Sequence, residues 1–513
     1  MEGEHPDLAR LKELEEESAR AGGPGIQRRQ KRLGKLLVRE RVARLCDHGS
    51  FTELGRFFSR PRGVAPGDDQ VWGDGVVTGT GRIDGRRVVI YAHDPTVYRG
   101  SVGLAGAQKV LRALRLAEER QLPVVGLLDS DGARVSAGSD VVPTVAELLT
   151  QVARLSGRVP HITVVLGFCG GATAYTAALS DLVVAHETHG YLFVTGAKVT
   201  QVVTGQSPTL RDLGGVAMHA GETGLVHVNL DSEEACLEAA RKAVGYLSPS
   251  SSVPGEPQAS DPEHSADRPT DEILEILPDS PRKGYDIRRI IGTVFDQGTF
   301  LELQEAYGTG LVVGLAELAR RPVGIVASQP LSYAGSLDSD SSRKGARLVQ
   351  MCGAYGLPVV TLADVPGFRP GVKEEQEGLL LHGAKLISAY ANCPSPVVTL
   401  ILRKSYGGGN VLAAAGQIKL AYPFARIQPM GAEAALQVVS HRTFGEPSEE
   451  EMEEVKAHYR ALDQVHVAAE AGAVDRVIHP SDTRRELIEA LTTLAGPNSH
   501  GNGEAVQRPN IPL

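Results

Sequence analysis

A chain of 513 residues, 42% hydrophobic and 22% charged, is too long for one ordinary core and reads as a soluble globular protein of two or more domains. Its net charge of −9 is scattered along the chain, which argues against a nucleic-acid partner. The five cysteines form no C-x-x-C pair, and no apolar window has the length of a signal peptide or a membrane span, so the cytoplasm is the expected compartment.

In chain order, residues 1–40 are highly charged with helical patterning and are expected to form an N-terminal extension. A first domain, 41–247, follows. Its apolar runs VVIYA, PVVGLLD, ITVVLG and DLVVAH have strand length, and GAQKVLRALRLAEERQL carries helical spacing between them. The Pro/Ser-rich stretch 248–272 reads as a linker. A second domain, 273–498, repeats the pattern with VGIVAS, PVVTLAD and PVVTLIL around the helix SSRKGARLVQMCGAYGL. A long helix is expected from Ser448 to Leu462, and a flexible tail over 499–513. Strands apolar throughout and separated by helices imply an α/β fold with largely parallel sheets covered on their faces.

The two domains are related by an internal repeat. Ile83–Ser101 resembles Leu318–Ser336, and Leu122–Gly132 resembles Leu357–Gly367, at one offset of 235 residues. Gly196 falls on Gly431 at the same offset, and the upstream segments Arg41–Leu54 and Ile290–Leu303 end in GSFTEL and GTFLEL. Two homologous domains in tandem are the consequence.

Each half also has a strand that ends in a glycine cluster: ITVVLGFCGGATAY (Ile162–Tyr175) and VVTLILRKSYGGGNVL (Val397–Leu412). Consecutive backbone N–H groups in such a turn can converge on one oxygen, a phosphate or an oxyanion. A single cluster is accounted for by a tight turn; one at the corresponding place in each half argues for a paired task. Neither is a P-loop or a G-x-G-x-x-G, and there is no Ser/His/Asp set, no nucleophile elbow and no metal-ligand cluster. Asp129 and Asp364 end matched strands in the position of capping residues. Arg134 reads as a phosphate contact or a solvated ion pair, and Lys404 with Arg403 as a contact to a bound cofactor. His382 reads as a satisfied helix residue, and Cys169 as a buried filler without a paired histidine.

Beyond these features, RERVARLCDHGSFTELG, LLDSDGARV, GFCGGATAYTAALSDLVV, YLFVTGAKVTQVVTG, LADVPGFRPGVKEEQEG, HGAKLISAY and LRKSYGGG stand in one order over roughly residues 30 to 480. In this the chain closely resembles the carboxyltransferase (β) subunits of propionyl-CoA and acetyl-CoA carboxylases. The resemblance implies two crotonase-like (ClpP/crotonase) domains per chain and a homo-hexamer. It implies transfer of CO2 from carboxybiotin to the α-carbon of an acyl-CoA through an enolate. Biotin would be supplied in trans by biotin carboxylase and biotin carboxyl carrier subunits, because no methionine here is flanked by lysine as in a biotinylation site. No metal in this chain, no nucleic acid and no membrane are implied.

On the residues that match, the acyl-CoA oxyanion hole falls on Gly171 and Ala172, or one residue earlier on Gly170 and Gly171. The biotin hole falls on Gly408 and Gly409, and Val411 lines the acyl pocket. Arg134 is the candidate CoA phosphate contact. Two departures stand out: Asp131 replaces a glycine of the family's DSGGAR motif, and Asn410 replaces an aromatic or hydroxyl side chain. The alternatives are the same site run backwards as a biotin-dependent decarboxylase of a malonyl-type CoA, and a catalytically weakened scaffold paralog.

Overall fold

The computed structural model describes residues 5–59, 71–248, 264–280, 282–431 and 449–495. The chain divides into two compact units whose boundary falls between residues 248 and 264. The first unit has eight described strands: β1 (Thr52–Leu54), β2 (Val76–Ile83), β3 (Arg86–His93), β4 (Val124–Ser130), β5 (His161–Gly170), β6 (Leu182–His186), β7 (Tyr191–Phe193) and β8 (Val228–Leu230). Their order is β1-β2-β3-β4-β5-β6-β8, with β7 paired to β5. The first three form an antiparallel meander and the rest are parallel.

The second unit repeats this with β9 (Leu301–Leu303), β10 (Leu311–Leu318), β11 (Arg321–Ser328), β12 (Val359–Val365), β13 (Val397–Tyr406), β14 (Ile418–Ala421), β15 (Arg426–Gln428) and β16 (Arg476–Val477). The order is β16-β14-β13-β12-β11-β10-β9, with β15 on β13. All seven residues of β4 and of β12 are buried, as expected of central parallel strands covered on both faces. The amphipathic helix Leu104–Arg120 covers its sheet with Ala107, Val110, Leu114 and Ala117; Ser339–Ala354 is its counterpart.

The repeat extends to polar detail. Asp47 accepts the amides of Asp84 (2.9 Å) and Gly85 (2.8 Å), pinning the β2–β3 turn. Asp296 pins the β10–β11 turn in the same way through Ala319 (3.2 Å) and Arg320 (2.8 Å). Lys109 and Lys344, at equivalent places on the covering helices, are both buried. The Lys344 ammonium donates to the carbonyls of Gln304, Tyr307 and Leu311, each at 2.8 Å.

Two boundaries differ from the sequence expectation. Residues 249–263 of the expected linker and the tail 499–513 lie outside the described residues, but 264–272 pack against the second unit. There Arg268 donates to the carbonyls of Thr293 (2.9 Å) and Phe295 (2.8 Å), and buried Thr270 to that of Pro480 (2.6 Å). The helices Pro6–Ala19 and Gly23–Arg32 lie within residues 1–40, and this segment is part of the first unit: Lys35 lies 2.6 Å from the buried carboxylate of Asp129. The helix expected from Ser448 runs over Glu449–Leu462.

Candidate active site

Both glycine clusters are delivered by the same device. The register between β4 and β5 slips between Leu128 and Ser130, and that between β12 and β13 slips between Ala363 and Val365. Such a bulge bends the strand and re-aims its end. The strand then enters a glycine in the left-handed region, Gly171 (φ 53°) or Gly407 (φ 52°), and a helical turn begins. β5 and β13 have the same length, so Gly171 stands where Gly407 stands, Ala172 where Gly408 stands, and Thr173 where Gly409 stands.

By this register the counterparts of Gly408 and Gly409 lie one residue beyond the Gly171–Ala172 pair. Gly170 is the buried last residue of β5, and the Gly171 N–H donates to the Phe193 carbonyl of β7 at 3.0 Å. Of the expected donors, the Gly171 amide is thus already engaged within the sheet. Ala172 and Thr173 open the helix Ala172–Leu179, and first-turn amides have no partner within their own helix. They are the counterparts of Gly408 and Gly409.

The alanine also finds its explanation. A methyl group on Gly408 would lie 2.5 Å from the Phe368 ring, and one on Gly409 2.7 Å from Val365. In the first unit the place of Phe368 is taken by Ala133, as the equivalent bridges Val102–Ala133 and Leu337–Phe368 show. A small residue opposite the turn thus makes room for the methyl of Ala172.

The turns facing each cluster are strained alike. Tyr98, Arg99 and Gly100 all have positive φ (46°, 56° and 67°), as do Tyr333, Ala334 and Gly335 (47°, 55° and 81°). Non-glycine residues in this region cost energy and concentrate at functional sites. A Cβ on Gly100 would meet the Asp129 carbonyl at 2.1 Å, so the turn is pressed onto the end of β4. Arg134 stacks on Tyr98 at 4.3 Å and Arg369 on Tyr333 at 4.0 Å. Arg134 also ion-pairs with Asp74 (2.5 Å) and donates to the Ser101 carbonyl (2.8 Å). It is a largely buried ion pair, not a solvated one.

Asp129 and Asp364 are not helix caps. Asp129 binds Lys35 (2.6 Å) and Arg41 (3.1 Å), and Arg41 in turn binds Glu233 (2.6 Å). Asp364 binds Arg403 (2.8 Å), the Tyr285 hydroxyl (3.0 Å) and the Lys404 amide (3.2 Å), with the Lys404 ammonium at 3.8 Å. The first group balances two cations against two anions; the second leaves one positive charge in excess beside the Gly408–Gly409 turn. Arg403 Nη2 is buried without a hydrogen-bond partner among the described residues. Burial holds the Lys404 ammonium below the ordinary lysine value, against the pull of Asp364, and burial pushes the Tyr285 hydroxyl well up.

Of the remaining candidates, Asp131 is paired with Arg99. Asn410 is tied inward, accepting from Ser405 (2.6 Å) and donating to the Gln428 carbonyl (3.2 Å), and Val411 is half-buried on the following turn. Cys169 is buried, with its thiol pushed well up by burial. The Nδ1 of His382 has no partner among the described residues, contrary to the expectation of a satisfied helix histidine. A cavity of about 740 Å³ opens between Phe58 and the helix Leu104–Arg120, and it includes no residue of either glycine turn.

Comparison with known proteins identifies the family. The carboxyl transferase domain family matches residues 29–500. The carboxyltransferase subunit of propionyl-CoA carboxylase from Haloferax mediterranei is 37% identical over 492 residues, covering 94% of this chain and 95% of that one. A putative propionyl-CoA carboxylase β chain of Bacillus subtilis is 36% identical, covering 99% of this chain and 100% of that one. Among solved structures, transcarboxylase 12S, a hexamer with methylmalonyl-coenzyme A and methylmalonic acid bound, aligns with a TM-score of 0.91 at 33% identity, over 100% of this chain and 99% of that one. The chain belongs to the carboxyl transferase family and is an enzymatic carboxyl-transfer subunit of the acyl-CoA carboxylase type.

Proposed function

We propose that the chain carries a carboxyl group to the α-carbon of a short acyl-CoA, within a homo-hexamer served by separate biotin carboxylase and biotin carrier subunits. The observation that carries this reading is the pair of equivalent bulge–glycine–helix turns, one per unit. The names of the propionyl-CoA carboxylase relatives, and the methylmalonyl-coenzyme A in transcarboxylase 12S, support the substrate class.

Two oxygens gain negative charge in such a transfer, and each turn suits one. Breaking the α C–H bond moves its electron pair onto the thioester oxygen, and the amides of Ala172 and Thr173 are the donors for that enolate. The carbanion end then forms the new C–C bond. Biotin, when bound, supplies the carboxyl group by cleavage of its N–CO2 bond and takes up the α-proton. The amides of Gly408 and Gly409 suit its ureido oxygen, and the excess positive charge of Arg403 and Lys404 against Asp364 favours an anion there. No side-chain base is required of this chain.

The test uses the assembled protein with methylmalonyl-CoA, malonyl-CoA and longer homologues plus free biotin, and reads biotin-dependent loss of the carboxyl group. Turnover that disappears in Gly409→Pro, with assembly and CoA binding retained, is the expected result. No turnover of any homologue by an intact oligomer that still binds CoA would refute the reading in favour of a scaffold.

A further inference from the structure

The main chain of Asp131, an acidic residue, lies against a turn that, in the reading above, must stabilise an oxyanion. Its carbonyl oxygen is 2.9 Å from the Cβ position of Gly170, and the Cβ position of the neighbouring Gly132 is 2.4 Å from the Gly170 carbonyl. The Asp131–Gly132 segment thus lies directly on the strand end that leads into Ala172 and Thr173. An unpaired negative charge there opposes the charge that develops on the thioester oxygen.

We propose that Arg99 is the positioning residue that cancels this charge, so that the two residues act as one neutral unit at the lip of the acyl-CoA turn. The guanidinium grips the carboxylate with two bonds, Nε to Oδ2 and Nη2 to Oδ1 (3.2 Å). The main chains are joined as well, the Asp131 N–H donating to the Arg99 carbonyl at 3.2 Å. Among the described residues no other cation is paired with Asp131. Arg134 is engaged with Asp74, and Lys35 with Asp129.

The second unit serves as an internal control. At the two equivalent places it carries Ala334 and Pro366, neither charged, although Ala334 adopts the same left-handed backbone as Arg99. The turn therefore needs neither side chain for its shape. Both charges occur together in one unit and neither occurs in the other. With Arg99 74% and Asp131 36% exposed, the pair is too solvated to contribute much to folding. Its effect is on the charge beside the reacting oxygen.

This inference rests on the assignment of the Ala172–Thr173 turn to the acyl-CoA oxygen, and its test separates the two. Biotin-dependent decarboxylation of methylmalonyl-CoA is measured for the wild-type assembly, Arg99→Gln, Asp131→Asn and the double variant. Arg99→Gln is expected to lose about tenfold in kcat, with a smaller change in KM, and to regain part of it as salt rises. Asp131→Asn is expected to stay at or above the wild-type kcat, and the double variant to return close to it. Equal losses in the two single variants, no loss in Arg99→Gln, or a double variant as slow as Arg99→Gln would overturn this inference alone. A wild-type assembly without turnover would sink both readings.

Discussion

Asp129 and Asp364 end equivalent strands, are both buried and lie beside equivalent bulges, yet they are neutralised in different ways. At Asp129 the cations come from far along the chain. Lys35 arrives from the N-terminal extension, and Arg41 bridges on to Glu233 of the helix Glu233–Leu247. The neighbouring strand contributes only Gly167, where a Cβ would fall 1.8 Å from the Asp129 carboxylate. At Asp364 that same neighbour is Arg403, and the counter-charge is local. Duplication has kept the backbone and the buried carboxylate while the partner charge has moved. The first unit therefore needs Lys35, from the segment before residue 41, to be electrostatically complete, and the second carries its counter-charge on the neighbouring strand.

The comparison can be broken most directly at Arg41. Arg41→Met would strand the buried Glu233 and leave Asp129 to Lys35 alone, and a loss of about 3–5 kcal/mol is expected in the first unit. Hydrogen exchange of β4 and of the helix Glu233–Leu247 in rising urea reads it; protection equal to wild type would contradict a shared network. Next in size is Gly408→Ala, which drives a methyl into Phe368 and is expected to cost about 10²-fold in transfer. Phe368→Ala in the same chain reproduces the Ala172–Ala133 arrangement of the first unit and should restore part of that loss. A double variant no better than the single one would remove the steric account.

Arg403→Met should be milder than Arg41→Met, roughly 2 kcal/mol, because Asp364 keeps the Tyr285 hydroxyl and the Lys404 amide. It is read by exchange in β12. The smallest effect concerns Lys344, which burial pushes down to about 7. Between there and the ordinary lysine value near 10.5, the folded chain binds fewer protons than the unfolded one. Stability owed to this residue thus rises with pH across that window, and Lys344→Met should flatten the rise. Identical pH slopes in the two proteins would argue against a lowered value.

The alternation of strand and helix was legible because apolar runs and helical periodicity are local, and the duplication because β3, β4 and their repeats keep one offset. The register of the active turns was not. One extra residue lies between β12 and β13, so the offset from β5 to β13 becomes 236 (His161 to Val397), and Thr173 went unnoticed as the counterpart of Gly409. Aligning the strand ends CGGAT and SYGGG would have found it. The pairs Lys35–Asp129 and Arg99–Asp131 join residues remote in sequence, and no composition or spacing announces them. The polar stretch 264–272 looked like linker because Arg268 and Thr270 are hydrophilic. Their donors are spent on carbonyls of the second unit.

Lys344 has a wider consequence. Three converging carbonyls around one positive charge are the coordination that a bound alkali ion would otherwise receive, and here the ion is covalently tethered to the helix Ser339–Ala354. Such a joint cannot be stripped by a chelator or exchanged for sodium or potassium. The segment Gln304–Leu311 is thus clamped to that helix whatever the salt composition of the cell, with the proton as its one exchangeable occupant.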